Sequence, residues 1–198
     1  MLTYQKILKR LFDIIVSIFG LMATFIIIII AWLFASIETK SNGFFIQKRV
    51  GKEGKLFSVI KIKTMKKIEG IDTTITSSND TRITKSGKLF RDTKIDELPQ
   101  LWNVFIGDMS FVGPRPDVPG YADKLEDEDK IILSIRPGIT GPASIKYKNE
   151  EEILSLQENP QYYNDTIIWP DKVKINKAYI NEWSLKSDIK YIVKTVTG

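Results

Sequence analysis

The chain has 198 residues, which is enough for one domain of ordinary size together with one membrane element. It contains no cysteine and no histidine, so disulfides, thiolate nucleophiles and serine–histidine catalysis are excluded. Any enzyme chemistry must therefore use carboxylates, lysines, arginines, hydroxyls or a metal held by oxygen atoms. Residues 1–70 hold twelve basic and four acidic groups and are also the most apolar part of the chain. This combination favours an anionic membrane surface over nucleic acid as a partner.

The strongest signal is an apolar run near the N-terminus. Residues 14–37 form 24 consecutive positions without a charge, and a helix needs about 20 residues to cross a bilayer. The run is longer than the roughly 7–15 apolar residues of a cleavable signal peptide, so we expect it to remain in the mature protein. A buried helix of a soluble protein is the alternative.

Basic residues flank the run on both sides: Lys6, Lys9 and Arg10 precede it, and Lys40, Lys48, Arg49, Lys52 and Lys55 follow it. By the positive-inside rule both ends prefer the cytoplasm. A helix that enters and leaves through the same leaflet would satisfy both ends, whereas length alone is typical of a full span. The run has no proline, so a bend would have to form near Gly20 or at Ala23 and Thr24. We expect the re-entrant form.

The remaining chain predicts an α+β, mostly helical fold. Short β-branched pieces at residues 44–46 and 56–62, separated by glycines, predict a minor β-hairpin. Helical patterns follow over residues 90–106, 121–135 and 171–196.

This pattern predicts a small membrane-associated catalytic domain with an N-terminal re-entrant or spanning helix. The predicted division is a membrane-anchoring helix over residues 1–40 and a cytoplasmic catalytic domain over residues 41–198, whose amphipathic helices lie at the membrane interface.

Two adjacent carboxylates, Asp96 and Glu97, lie just before Pro99. Proline is harmless in the first turn of a helix, which places the two carboxylates at a predicted helix start, where anions are favoured. Neighbouring side chains on a helix point about 100° apart, so one carboxylate could attack while the other holds a metal or a proton. Simple charge decoration of a helix end is the alternative.

A rigid loop follows at residues 107–116, GDMSFVGPRP. Arg115 stands between two prolines that fix the backbone, and its planar guanidinium suits phosphate oxygens. Arg91 and Lys61 could add positive charge to the same site. A surface turn with solvated basic side chains is the alternative.

Three segments together resemble a known family. These are FFIQKRVGKEGKLFSVIKIKTM at residues 44–65, TRITKSGKLFRDTKIDELPQLWNVFIGDMSFVGPRP at residues 81–116 and RPGITGPASI at residues 136–145. They are similar to bacterial sugar transferases of the small monotopic phosphoglycosyl transferase type. Members of this family move a sugar-1-phosphate from a UDP-sugar to a polyprenol phosphate such as undecaprenyl phosphate, release UMP and so begin surface glycan synthesis.

The resemblance implies roles for individual residues. Asp96 would be the nucleophile that attacks the β-phosphorus, and Glu97 its partner in Mg²⁺ binding and acid–base work. Arg115 and Arg91 would hold phosphate, and Lys61 is predicted to join them on the ground of its charge. The resemblance also implies a location at the bacterial inner membrane, with the catalytic domain on the cytoplasmic face.

The sequence departs from the family pattern in three places. Ala23 and Thr24 stand where relatives have a Ser-Pro break in the membrane helix. Lys63 replaces arginine in KIKTM, and the string after ITG differs. Two other functions remain as alternatives, a non-catalytic membrane scaffold and a metal-dependent UDP-sugar hydrolase.

Overall fold

The computed structural model describes residues 1–67 and 80–197. These residues form a mostly helical structure with little strand, which confirms the predicted α+β class. The helices are α1 (Thr3–Thr39), α2 (Lys85–Asp92), α3 (Gln100–Ile106), α4 (Pro142–Lys146), α5 (Glu150–Ser155), α6 (Pro160–Tyr163), α7 (Trp169–Asn181) and α8 (Leu185–Thr197). The strands are β1 (Phe44–Val50), β2 (Leu56–Ile62), β3 (Ser110–Val112) and β4 (Gly138–Thr140). β1 pairs with β2, as the hairpin prediction requires, and β3 pairs with β4.

α1 is a single helix of 37 residues, and among the described residues it alone is long and apolar enough to cross a membrane. Large apolar side chains are exposed along its whole length, from Tyr4 to Ile37. The helix runs through Ala23 and Thr24 without interruption, and the Thr24 hydroxyl donates to the Gly20 carbonyl at 2.7 Å. Such an exposed apolar surface requires lipid rather than water.

Contacts divide the described chain into two compact units. The first contains residues 1–15, 48–57 and 104–198, and the second contains residues 16–47 and 58–103. The division predicted at residue 40 stays a prediction.

The first unit has an apolar core built from α7 and the chain around β3. Its buried members are Val112, Ile132, Ile135, Val173, Tyr179, Ile180 and Trp183. β3 and β4 pair in parallel, with Ser110 opposite Gly138 and Val112 opposite Thr140. A Cβ on Gly138 would lie 2.2 Å from the Gly113 nitrogen, so this close pairing requires glycine.

A buried polar network joins the start of α1 to α7 and α8 within the first unit. The Lys9 ammonium donates to Asp188 Oδ2 at 2.6 Å, and both side chains are almost fully buried. Asp188 also accepts from Tyr179 at 2.7 Å and from Trp183 at 3.0 Å. These donors satisfy the carboxylate, which is the condition for burying a charge.

One turn further along α1, the Asp13 carboxylate accepts from the Ser110 hydroxyl at 3.0 Å and from the Phe111 amide at 3.1 Å. The Arg10 guanidinium donates to the carbonyls of Val104 and Phe105, both at 2.7 Å. The first turns of α1 are therefore held by hydrogen bonds as well as by apolar packing.

The second unit centres on a cluster of Ala31, Ala35, Ile62 and Phe90, with Ile95 packed against it. Thr84 caps α2 by accepting from the Gly87 amide at 2.9 Å. At the end of α1, a Cβ on Gly43 would lie 2.2 Å from the Trp32 carbonyl oxygen. Only glycine allows the chain to turn this closely against the helix.

Two helix predictions are wrong in detail. The segment predicted as one helix over residues 90–106 is broken, because Thr93 ends α2 and Lys94 has a left-handed conformation with φ 59°. Residues 121–135 form two 3-10 segments, Ala122–Lys124 and Asp127–Ser134, and Asp127 has φ 45°. The helices predicted over residues 171–196 are confirmed as α7 and α8.

Replacement of Lys9 by alanine is expected to destabilise the first unit by about 3–5 kcal/mol, because it leaves Asp188 charged and buried without its cation. Thermal unfolding of the detergent-solubilised chain measures this loss. Lys146→Ala is the control, since Lys146 pairs with Asp171 at the surface, where such a pair contributes about 0–1 kcal/mol. Equal effects of the two substitutions would contradict the structural role of the buried pair.

Candidate active site

Asp96 and Glu97 lie in a 3-10 turn, Ile95–Glu97, between α2 and α3. This corrects the expectation that they occupy the first turn of a helix, since α3 begins after Pro99, at Gln100. Lys94 precedes the turn in the left-handed region, which is uncommon for a residue other than glycine. Ile95 anchors the turn on the core cluster of the second unit.

The Glu97 carboxylate is held by Lys61. The Lys61 ammonium lies 2.7 Å from Glu97 Oε1, and both side chains are mostly buried. Lys61 lies on β2 directly before Ile62, which is buried in the core cluster. The side chains of successive strand residues point to opposite faces, so Lys61 lies on the face opposite Ile62, and its ammonium reaches Glu97 from there. The two adjacent carboxylates thus have different surroundings.

Asp96 is less well satisfied than Glu97. Its Oδ1 atom is buried and has no hydrogen-bond partner among the described residues. Burial raises the pKa of Asp96, and the charge of Glu97 raises it further, while Lys61, Lys94 and Arg91 act in the opposite direction. A carboxylate oxygen with little solvation is a stronger nucleophile than one held by several donors.

Two carboxylates with one unpartnered oxygen fit a magnesium ion. Mg²⁺ commonly takes one or two carboxylates and completes its shell with water and substrate phosphates. In residues 1–67 and 80–197 no group of three or more acidic side chains could hold a metal alone. Asp96 and Glu97 are the two carboxylates that could supply the protein part of such a shell.

The predicted phosphate-binding residues fall in both units. Arg91 and Lys61 lie in the second unit with Asp96 and Glu97, and the charges of both act on Asp96. The Arg91 guanidinium also contacts the Met65 sulfur at 3.7 Å. Arg115 lies in the first unit and is exposed.

The loop that carries Arg115 is fixed by parallel pairing and by β1. The Gly113 amide donates to the Thr140 carbonyl at 2.9 Å, and the Gly138 amide donates to the Pro114 carbonyl at 2.8 Å. The Val50 amide donates to the Asp117 carbonyl at 2.9 Å. The two glycine-rich motifs of the sequence therefore build one rigid support for an exposed arginine.

Sequence reasoning missed two residues close to these motifs. Asp117 directly follows GPRP, and burial raises its pKa to about 6, against the opposing charges of Lys172, Arg49 and Arg115. Gln100 begins α3, is 4% exposed, and its Nε2 atom has no partner among the described residues. Neither residue stands out in the sequence by its type. What distinguishes both is their burial, which the sequence does not reveal.

Comparison with known proteins assigns the family. The model of the family described as bacterial sugar transferase matches residues 4–198. The chain is 36% identical over 194 residues to the uncharacterized sugar transferase EpsL of Bacillus subtilis, covering 96% of this chain and 86% of that protein. The chain therefore belongs to the bacterial sugar transferase family, as its motifs predicted.

Two further relatives are longer proteins. The galactosyl transferase CpsE of Streptococcus agalactiae is 37% identical over 96% of this chain and 41% of its own length. The UDP-glucose:undecaprenyl-phosphate glucose-1-phosphate transferase of Klebsiella pneumoniae is 35% identical over 97% of this chain and 40% of its own length. The chain thus spans about two fifths of these two relatives.

The raised pKa of Asp117 predicts a pH-dependent stability. The folded state binds a proton more tightly than the unfolded state, whose reference pKa is 3.8, so stability should fall as pH rises from about 4 through 6. The loss amounts to about 3 kcal/mol at most. Asp117→Asn should flatten this part of the stability curve, measured by unfolding between pH 4 and 7. Asp92→Asn, which removes an exposed carboxylate, should leave the curve unchanged. A wild-type slope that survives in Asp117→Asn would contradict the assignment.

Proposed function

We propose that the chain transfers a sugar-1-phosphate from a UDP-sugar to undecaprenyl phosphate and releases UMP. The observation that carries this proposal is the pair of adjacent carboxylates with opposite surroundings, one partly desolvated at Asp96 and one ion-paired at Glu97. The activities for which relatives such as the Klebsiella enzyme are named support the choice of substrates. The reaction would begin assembly of a surface glycan on its lipid carrier.

In the first step, a carboxylate oxygen of Asp96 attacks the β-phosphorus of the UDP-sugar. An oxygen–phosphorus bond forms, and the bond from that phosphorus to the oxygen of the α-phosphate breaks. The electron pair leaves with UMP, and the sugar phosphate stays on Asp96 as an acyl phosphate. A covalent intermediate divides one transfer between two bulky anions into two easier displacements.

In the second step, a phosphate oxygen of undecaprenyl phosphate attacks the same phosphorus. The bond to Asp96 breaks, the carboxylate recovers its electron pair, and undecaprenyl diphosphate sugar is formed. The two displacements consume and release no proton overall, so the reaction needs no histidine, and the chain contains none.

Basic side chains of the described residues would hold the phosphates. Arg91 and Lys94 lie close enough for their charges to act on Asp96. Arg115 belongs to the first unit, and its guanidinium would bind phosphate oxygens at two points. Lys61 would keep Glu97 in place rather than bind phosphate by itself. A bound Mg²⁺ held by Asp96 and Glu97 would neutralise the diphosphate and the departing UMP.

We further propose that both ends of α1 lie on the cytoplasmic face. UDP-sugars are cytoplasmic substrates, so the chain after residue 41 must lie there. Lys9, Arg10 and Asp13 contact Asp188, Val104 and Ser110, which all belong to that later part of the chain. A spanning α1 would place its first turns on the opposite face, where these contacts cannot form. The contacts therefore argue against a full span, whereas the break expected near Ala23 and Thr24 is not seen in α1, which runs through both residues as one helix.

Transferase activity is tested by following UMP release from UDP-glucose, UDP-galactose and UDP-N-acetylglucosamine in the presence of Mg²⁺ and undecaprenyl phosphate. Asp96→Asn should lower kcat by about 1,000-fold or more, because an amide is a negligible nucleophile toward phosphorus. Asp92→Asn, the same change at an exposed position four residues earlier, should retain wild-type turnover.

The outcomes separate the alternatives. Lipid-dependent UMP release supports the transferase, and release at full rate without lipid indicates a UDP-sugar hydrolase. If the wild-type chain releases no UMP from any of the donors, a non-catalytic membrane scaffold is favoured. Wild-type turnover by Asp96→Asn would refute the covalent step.

Single cysteines at positions 3 and 41 test the topology, because the chain contains no other cysteine. With a membrane-impermeant thiol reagent on intact cells, we expect both Thr3→Cys and Ser41→Cys to be protected. Both should react once the membrane is permeabilised. Labelling of position 3 alone in intact cells would show a full span.

A further inference from the structure

Helix α3 carries two buried amide side chains with different surroundings. Asn103 is 1% exposed and fully used: its Nδ2 donates to the Ser58 carbonyl at 2.8 Å, and its Oδ1 accepts from the Ile60 amide at 3.1 Å. Gln100 is 4% exposed, yet its Nε2 has no partner among the described residues. The first amide holds β2 against the helix, whereas the second donates no hydrogen bond within the described residues.

An unpartnered buried donor is costly to a folded protein. Most buried polar side chains find a hydrogen-bond partner, and an unsatisfied one loses its hydration without compensation. Leucine or methionine at position 100 would fill the same volume without that loss. The amide at this position therefore stabilises something other than the ligand-free fold.

A second buried atom without a hydrogen-bond partner lies four residues earlier in the chain and indicates the ligand that the amide stabilises. Asp96 Oδ1 is a buried acceptor without a partner, and it lies four residues before Gln100 across the bend at Pro99. A group that approaches Asp96 closely enough to be attacked brings its own acceptor oxygens into this region. The phosphoryl group of the donor substrate carries such oxygens on the atom under attack.

We infer that Gln100 is a substrate-contacting residue, whose Nε2 donates a hydrogen bond to a non-bridging oxygen of the phosphoryl group that Asp96 attacks. This inference rests on the proposed transferase function. A donor fixed in advance at the place where negative charge develops stabilises the transition state without reorganisation.

The neutrality of the amide is part of this role. An arginine or lysine at position 100 would hold the phosphoryl oxygens more strongly, but its charge would also stabilise the Asp96 carboxylate and weaken it as a nucleophile. An amide donates without adding charge. Lys61, Lys94 and Arg91 already supply the positive charge around Asp96.

Gln100→Met separates this role from a structural one, because methionine has nearly the same volume and no donor. In the full-length chain, the ligand-free unfolding temperature should equal or exceed that of wild type. With the UDP-sugar that gives the fastest UMP release, kcat/KM should fall about 10- to 100-fold, the scale of one lost hydrogen bond to a charged group. Thermal stabilisation by that UDP-sugar without acceptor lipid, which needs no turnover, should also decrease.

Asn103→Leu is the matched control on the same helix. This substitution removes the side-chain partner of the Ser58 carbonyl and of the Ile60 amide, so the unfolding temperature of the variant should drop. A similar drop or failure to fold in Gln100→Met would show a structural role and overturn the inference. Unchanged stability with kcat/KM within twofold of wild type would overturn it as well.

The wild-type chain itself distinguishes failure of the inference from failure of the proposed function. If it shows neither UMP release nor stabilisation by any UDP-sugar, the function is wrong and the inference falls with it. If wild type is active and Gln100→Met is equally active, only the inference is wrong.

Discussion

The carboxylate of Asp188 is the point on which the first unit depends. It is completely buried and accepts from Lys9, Tyr179 and Trp183. A buried carboxylate is tolerated only with such a complete set of donors, and here the donors come from α1, α7 and the turn before α8. Together with the contacts of Asp13, it makes the first turns of a lipid-exposed helix a structural part of the unit that also contains Arg115.

Local patterns were enough to predict much of this fold. The uncharged run predicted α1, the β-branched pieces around glycines predicted the β1–β2 pair, and amphipathic periodicity predicted α7 and α8. Each of these signals lies within the element that it predicts. The failures come from single backbone positions: the left-handed Lys94 ends one predicted helix, and Asp127 interrupts another. The spacing of apolar residues can continue through a position with a left-handed backbone. Periodicity therefore does not reveal where the helix breaks.

The candidate site was predictable in its residue types and not in its pairings. Asp96 and Glu97 could be proposed because adjacent carboxylates before a proline form a local signal, and their roles stay predictions. The ion pair between Lys61 and Glu97 joins residues 36 positions apart, and that between Lys9 and Asp188 joins residues 179 positions apart. Burial of Gln100 and Asp117 likewise depends on distant segments. Such features arise only when the chain folds, so composition and spacing carry no trace of them.

The polar face at the start of α1 also limits how the chain can be handled. A truncated chain that begins after the apolar helix would lose the exposed apolar surface that requires detergent. It would also lose Lys9, Arg10 and Asp13. It would leave a buried carboxylate at Asp188 and bare carbonyls at the end of α3. Solubility is therefore better sought by exchanging the exposed apolar side chains of α1 for polar ones than by deleting the helix.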